Sequence, residues 1–107
     1  MADASYAVVF ITTSDSAEAE KIARALLEHK KAACVNIVPR VDSRYWWEGK
    51  IEISPECQLV VKTKAALLPD IVNLVKGLHS YAVPEVIALP VLGGNPDYLD
   101  WIDKSLA

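Results

Sequence analysis

The chain has 107 residues, 52% of them hydrophobic, and its 11 basic and 14 acidic side chains give a net charge of −3. This length favours one compact domain over residues 1–107, because two half-sized domains would each be too small for a good core. No basic run is longer than Lys30-Lys31, which excludes nucleic acids and anionic membrane surfaces as the main partners. No apolar run approaches the roughly 20 residues that cross a bilayer.

The mean hydropathy of +0.21 is high for a chain of this length. A domain of this size buries only about 60–70% of the surface that its unfolded chain exposes, so we expect a partner subunit to cover the surplus apolar surface. Two cysteines, Cys34 and Cys57, are too few for a disulfide scaffold. The start Met1-Ala2-Asp3 lacks the positive region of a signal peptide. These features predict a cytoplasmic protein.

The first part of the chain predicts a strand and a helix. Residues Ala7–Ile11 are apolar throughout, which is typical of a central strand covered on both faces. Asp15, followed three residues later by Glu18, is a capping-box pattern that starts a helix. Apolar side chains then recur at helical spacing as far as Lys30-Lys31, where cations suit the negative end of the helix dipole.

The stretch Ala32–Lys64 shows no helical periodicity and predicts two long antiparallel strands. Glu48-Gly49 is a turn signal between them, so we expect a hairpin there. Each strand contains one proline, Pro39 or Pro55. Because proline cannot donate to the ladder of backbone hydrogen bonds, both strands are expected to be broken or bulged at these positions.

A second helix, a last strand and a closing helix are predicted after the hairpin. The helix covers Ala65–Leu78 with Pro69 in its first turn, the strand covers Glu85–Leu92, and the closing helix covers Tyr98–Leu106 after the cap Asn95. The order β-α-β-β-α-β plus a C-terminal helix is the α+β ferredoxin-like, or split βαβ, arrangement with an antiparallel sheet. Two helices cover one face of this sheet, and the largely open second face again predicts self-association.

Four side chains are plausible soft metal ligands: Cys34, Cys57, His29 and His79. No two of them have the spacing of a zinc site, so their positions alone predict no closed metal centre. A buried, inert thiol is the alternative interpretation of Cys34, and a solvated ring that of His29. Cys57 follows Ser-Pro-Glu at a strand start, where a partly exposed thiol is expected.

Three adjacent aromatic residues, Tyr45, Trp46 and Trp47, lie at the predicted hairpin end beside Glu48 and Lys50. Alternate side chains of a strand point to opposite faces, so one small core cannot bury all three. Trp and Tyr are enriched at interfaces, and the segment therefore predicts a subunit interface or an inter-subunit cleft. A small-molecule pocket and simple core packing are the alternatives.

The loop from His79 to Glu85 precedes the last strand, in a position where binding sites are often built. His79, Tyr81 and Glu85 can converge there on a ligand, and we expect Tyr81 and Glu85 at the same cleft as the hairpin aromatics. A purely structural loop is the alternative. His79 and Glu85 also offer an acid–base pair, but no nucleophile stands beside a base, so the sequence does not predict an enzyme.

Several short motifs recur in one order along nearly the whole chain. They are Ala32–Ile37, the pattern Ser-x-Tyr-x-Trp-Glu-Gly-Lys over Ser43–Lys50, Lys62-Thr63, His79–Val91 and Tyr98–Trp101. Each motif alone is weak, but together they are specific. The set resembles the CutA-type divalent-cation tolerance proteins.

The resemblance implies a tight homotrimer of ferredoxin-like subunits, similar in assembly to the PII signalling proteins. It also implies a non-enzymatic role in divalent-metal tolerance, with copper(II) or another divalent cation bound and no organic cofactor. Two ligand positions of some bacterial members hold Ile11 and Leu78 here, so only His79 remains of that ligand set. We expect weak metal binding by His79 together with Cys34, Glu85 or groups from a neighbouring subunit. The alternative hypothesis is a PII-like regulatory module that binds a small molecule or a partner protein between subunits.

Overall fold

The computed structural model describes residues 5–107. Its four strands form one antiparallel sheet in the order β2-β3-β1-β4. The predicted α+β fold with an antiparallel sheet and a C-terminal helix is therefore confirmed. The elements are β1 (Tyr6–Thr13), α1 (Ser16–Glu28), β2 (Cys34–Trp47), β3 (Lys50–Lys64), a 3-10 turn (Ala65–Leu67), α2 (Leu68–Leu78), β4 (Val86–Pro90) and α3 (Pro96–Leu106).

One face of the sheet packs against α1 and α2 and holds the core. Val9 and Ile11 alternate along β1 toward this face and are fully buried, as are their partners on β3, Val61 and Leu59. Removal of these side chains from water is the main apolar contribution to folding. The helices complete the cluster with Ala19, Ile22, Ala23 and Leu26 from α1 and with Ile71 and Val75 from α2.

The first helix begins as the capping-box pattern predicts. Asp15 is the N-cap, and its Oδ1 accepts the backbone N–H of Glu18 at 2.8 Å. The carboxylate of Glu18 reaches back to the backbone N–H of Ser14, with Oε1 at 3.3 Å. The bond to Asp15 satisfies a donor that the first turn of the helix leaves without a partner, and the bond to Ser14 ties Glu18 to the residue before the N-cap. The position of Glu18 is thereby fixed at the start of α1.

The second face of the sheet is only partly covered, as the order of elements predicts, and on this face Val8 and Phe10 of the first strand are half-buried rather than fully enclosed. α3 lies across part of this face: the Tyr6 hydroxyl donates to Asp103 at 2.6 Å, and Lys64 pairs with the same carboxylate at 3.0 Å. Beyond α3, Ile87 and Leu89 of β4 remain 55% and 51% exposed. Their β1 neighbours are only half-buried. A helix as short as α3 leaves an apolar strip open.

The β2–β3 hairpin extends well beyond the rest of the sheet. β1 pairs with β3 only as far as Cys57, so the outer hairpin, defined as residues 41–56, has no third strand. This projection contributes to an elongated subunit of 43 × 31 × 22 Å. At the tip, Glu48 and Gly49 both have positive φ, at 49° and 78°, which is the signature of a type I′ turn.

The two strand prolines, Pro39 and Pro55, affect strand pairing differently. A register shift between Val38 and Val41 forms a bulge around Pro39, as predicted. The expected break at Pro55 is wrong, because Pro55 stays in register opposite Asp42. At this point β3 has a neighbour on one side only. A proline on such a free edge removes no hydrogen bond from the sheet.

The last strand is shorter than the predicted Glu85–Leu92. It covers Val86–Pro90 because β1 provides partners only from Ile11 to Ala7. Glu85 therefore belongs to the preceding loop. This placement leaves its side chain outside the sheet, in the region described below.

Leu26→Ala is expected to lower the free energy of unfolding by about 2–5 kcal/mol, because the smaller side chain leaves a cavity. Leu26 is 0% exposed, whereas the adjacent Leu27 is 42% exposed. Leu27→Ala is therefore a matched control, with an expected loss below about 1 kcal/mol. Chemical denaturation at one fixed protein concentration measures both values. Equal losses would contradict this placement of the core.

Candidate functional site

The outer hairpin carries the three predicted aromatic residues away from the core. Trp46 and Trp47 are 72% and 54% exposed. Trp46 pairs with Ile51 while Tyr45 pairs with Glu52, so consecutive aromatic side chains face opposite sides of the hairpin, as predicted. The hydroxyl of Tyr45 shares a hydrogen bond of 2.9 Å with Oγ of Ser54. The subunit does not bury this segment in its own core.

The loop between α2 and β4 meets the base of the outer hairpin through Tyr81 and Glu56. The Tyr81 hydroxyl donates to Oε2 of Glu56 at 2.7 Å. Glu56 is only 8% exposed, and a buried acid requires a donor of this kind. Burial, followed by the hydrogen bond and charge of Glu56, raises the pKa of Tyr81. The phenol therefore stays protonated and remains the donor at neutral pH.

His79 packs at the start of this loop with its side chain fully buried. Its Nε2 lies 2.6 Å from the carbonyl oxygen of Thr12, and its Nδ1 accepts the backbone N–H of Tyr81 at 3.0 Å. Because Nδ1 accepts, the neutral ring carries its hydrogen on Nε2 and donates it to Thr12. The His79 and Tyr81 ring centroids are 4.6 Å apart. Both ring nitrogens of His79 thus have protein partners.

Glu18 of α1 holds the same loop from the other side. Its Oε2 accepts the backbone N–H of Ser80 at 2.8 Å, and its Oε1 accepts the Ser80 hydroxyl at 3.1 Å. Oε1 also lies 3.7 Å from Nδ1 of His79. Burial raises the pKa of Glu18, but hydrogen bonds from Ser80 and Ser14 outweigh burial and leave this pKa below its ordinary value. The start of α1 and the loop form one network.

The two metal-ligand candidates lie apart in the subunit. Cys34 is half-buried at the start of β2, opposite Lys62 on β3. His79 contacts Thr12, whose partner on β3 is Gln58. Four residues along a strand span about 13 Å. The structure therefore does not bring Cys34 and His79 together.

The remaining cysteine, Cys57, packs inside the protein. Cys57 is buried, and its thiol donates to the carbonyl oxygen of Pro39 at 3.1 Å. The expectation of a partly exposed Cys57 is wrong, because the bulge at Pro39 folds over it. Within residues 5–107, no group of three or more His, Cys, Asp or Glu side chains is arranged to hold a metal ion.

A groove of about 750 Å³ opens between the outer hairpin and the Tyr81–Glu85 loop. This volume falls within the range of small-molecule sites. Glu48 and Lys50 lie at the hairpin turn, outside the groove lining found among the described residues. The lining includes five residues predicted from the sequence: Tyr45, Trp46, Trp47, Tyr81 and Glu85.

Glu56 also lines the groove, and sequence reasoning missed it. No motif marks this residue, and only its pairing with Val41 just beyond the bulge brings it to the loop. Burial, and after it the charge of Glu56, raises the pKa of Glu85, which lines the same groove. Arg44 is the cation of the lining, and its Nη1 donates to the carbonyl of Asp42 at 3.1 Å. The groove combines aromatic walls with two acidic groups.

The profile of the CutA1 divalent ion tolerance protein family matches residues 7–105. The chain belongs to this family. It is 45% identical over 98 residues to the divalent-cation tolerance protein CutA of Archaeoglobus fulgidus, covering 92% of this chain and 95% of that protein. It is 46% identical over 98 residues to the chloroplastic protein CutA 1 of Oryza sativa subsp. japonica, covering 92% of this chain but 55% of the relative.

The chain spans about half the length of several curated CutA relatives from plants and animals. Among solved structures, the periplasmic divalent cation tolerance protein CutA from Archaeoglobus fulgidus has a TM-score of 0.93 at 42% identity, covering 95% of this chain and 99% of that one. CutA1 from Oryza sativa has a TM-score of 0.92 at 44% identity, with coverages of 95% and 94%. The resemblance to CutA-type proteins is confirmed.

The names of these relatives point to different compartments, one periplasmic and one chloroplastic. Within the part of the chain that the structure describes, no helix combines the length and apolar character needed to span a membrane.

Glu18→Gln is expected to destabilise the fold at neutral pH and to lose this effect in acid. The lowered pKa of Glu18 means that the unfolded state takes up its proton more readily than the folded state. The ionised carboxylate therefore contributes stability above its ordinary pKa of 4.5, and the contribution is lost as the pH falls below that value.

Denaturant midpoints of wild type and Glu18→Gln at about pH 7 and about pH 3.5 measure this difference. Glu20→Gln removes the same charge from an exposed position on the same helix and serves as the control. A difference between wild type and Glu18→Gln that does not change with pH would contradict the assignment.

Proposed function

We propose that this chain forms a homotrimer without catalytic activity, which binds divalent cations weakly and so confers tolerance to them. The membership of this chain in the CutA1 divalent ion tolerance protein family supports the proposed binding of divalent cations. The observation that carries the assembly is the large apolar surface that one subunit leaves in contact with water.

This apolar surface has two regions. On the outer hairpin, Trp46, Ile51 and Ile53 share one face and are 72%, 64% and 64% exposed. On the second face of the sheet, Ile87 and Leu89 form the open strip beside α3. Contiguous apolar patches mark interaction surfaces. A hairpin that projects from its own sheet is well placed to reach the open sheet face of a neighbouring copy.

Light scattering at micromolar concentration is expected to give three times the subunit mass of 11.7 kDa. Ile51→Lys places a charge on the hairpin surface and is expected to shift the protein to smaller species, because the buried charge would lack a partner. Leu27→Lys, on α1 and away from both regions, is the matched control and should keep the trimer. A monomeric wild type would contradict the proposal.

For the cation, His79 and Cys34 are proposed as separate candidate ligands, because one subunit does not bring them together. Copper(II) is the proposed ion because it stands highest in the general affinity order of divalent metals. His79 can coordinate only after it releases Thr12 or the N–H of Tyr81. The described residues of one subunit therefore do not fit a closed metal site. This misfit supports weak binding, with further ligands from a neighbouring subunit.

Calorimetric titration with copper(II) and zinc(II) tests the ligands. His79→Ala and Cys34→Ser are expected to weaken copper binding, whereas His29→Ala, which removes an exposed imidazole, should not. Circular dichroism separates loss of a ligand from loss of the fold, because the His79 side chain is buried. Equal binding by wild type and His79→Ala would remove His79 from the site.

A second candidate function is a PII-like regulatory module that binds a small molecule or a partner protein at an inter-subunit cleft. The groove between the outer hairpin and the Tyr81–Glu85 loop favours it, since this groove has the volume of a ligand site and aromatic walls. Tryptophan fluorescence follows binding directly, because Trp46 and Trp47 line the groove. A saturable response to a ligand other than a metal favours this candidate.

We also propose that the protein is cytoplasmic. Cys34 and Cys57 are both free thiols, which suits a reducing compartment.

A further inference from the structure

We propose that the groove binds a small organic cation, namely an ammonium group carried on an apolar ring or short chain. This inference rests on the second candidate function, a ligand-binding cleft, and specifies the chemistry of its ligand. It does not depend on the divalent-cation role.

The first support is the free acceptor on Glu56. Among the described residues, the hydrogen bond recorded for this carboxylate is the one from the Tyr81 hydroxyl to Oε2. No buried side-chain oxygen or nitrogen in the described part of the chain lacks a partner. Oε1 of Glu56 is therefore not fully buried, although the residue as a whole is only 8% exposed, and Glu56 lines the groove. It can accept a hydrogen bond from a ligand, and a charged donor suits it best.

The second support is the pair of acidic groups. Glu85 and Glu56 line the same groove, and burial, followed by the charge of Glu56, raises the pKa of Glu85. Two interacting carboxylates in a partly dehydrated groove repel each other, and a bound cation relieves that repulsion. The Tyr81 hydroxyl is a neutral donor and neutralises neither charge. Charge complementarity therefore selects a cationic ligand.

The third support is the aromatic wall, which distinguishes an organic cation from a metal ion. Alternation from Val41, the partner of Glu56, places Tyr45 and Trp47 on the same hairpin face as that carboxylate. Aromatic faces attract ammonium groups and cover apolar groups, but they offer no metal ligands. Two carboxylates with no third His, Cys, Asp or Glu nearby in the described chain also make a poor metal site.

Arg44 is the one lining residue that opposes a cation. Its guanidinium is engaged with the carbonyl of Asp42 at 3.1 Å. By strand alternation it lies on the hairpin face opposite to Val41 and Tyr45, and thus opposite to Glu56. Glu56, Tyr45 and Trp47 therefore share one side of the hairpin, whereas Arg44 and Trp46 lie on the other.

The test is calorimetric titration of the full chain, in phosphate buffer free of amines, with 2-phenylethylamine and with its neutral analogue 2-phenylethanol. We expect saturable binding of the amine and binding of the alcohol at least about tenfold weaker, the loss that follows when one charged hydrogen bond is removed. Glu56→Gln and Glu85→Gln should each weaken amine binding about tenfold or more. Glu52→Gln, on the exposed outer hairpin outside the lining, should leave it unchanged.

Glu56→Gln keeps an acceptor for the Tyr81 hydroxyl, and Glu85 is exposed, so at least one of the two variants should fold normally. Equal binding of amine and alcohol, no amine binding, or unchanged binding in both variants would each overturn the proposal. Zinc(II) binding that Glu56→Gln abolishes, without any amine binding, would assign the groove to a metal ion instead. Light scattering on the same samples shows separately whether the trimer forms, so failure of the ligand proposal is distinguishable from failure of the assembly.

Discussion

A difference in length between two paired strands shapes this subunit. β1 has 8 residues and β3 has 15, and their pairing ends at Cys57. Beyond that point the hairpin is a two-stranded ribbon, which is marginally stable by itself. Its base is held by the contact between Glu56 and Tyr81. This contact joins the ribbon to the loop beside the groove that both of them line.

The loop that meets the ribbon is fixed by polar groups rather than by apolar packing. Glu18 accepts from Ser80, and His79 bridges Thr12 and Tyr81. Within residues 5–107, every buried side-chain nitrogen or oxygen has a hydrogen-bond partner. The two hydrogen bonds of His79 oppose metal binding by this residue, because a metal ion would need a ring nitrogen that is already hydrogen-bonded to Thr12 or Tyr81. Ligand binding in the nearby groove does not require His79 to break either hydrogen bond, because His79 is not part of the groove lining.

Local patterns in the sequence were sufficient for the elements and for the exposed aromatics. The capping box at Asp15, the bulge at Pro39 and the alternation around Trp46 depend on neighbours within a few residues. Glu56 and Cys57 could not be placed in this way, because their burial depends on strand pairing across the hairpin and on a distant loop. The break expected at Pro55 was wrong for the same reason, since only the sheet order shows that β3 has a free side there.

The type I′ turn at the hairpin tip has a structural consequence. Its twist matches the right-handed twist of the two strands, and Glu48 keeps a left-handed backbone at φ 49° although it is not glycine. Such a conformation costs about 1 kcal/mol or more and persists only where the surrounding structure imposes it. The turn fixes the register of the two strands at the tip of the ribbon, and the bulge shifts that register at its base. The tip therefore presents Trp46 and Ile51 as one cross-strand pair on a single face.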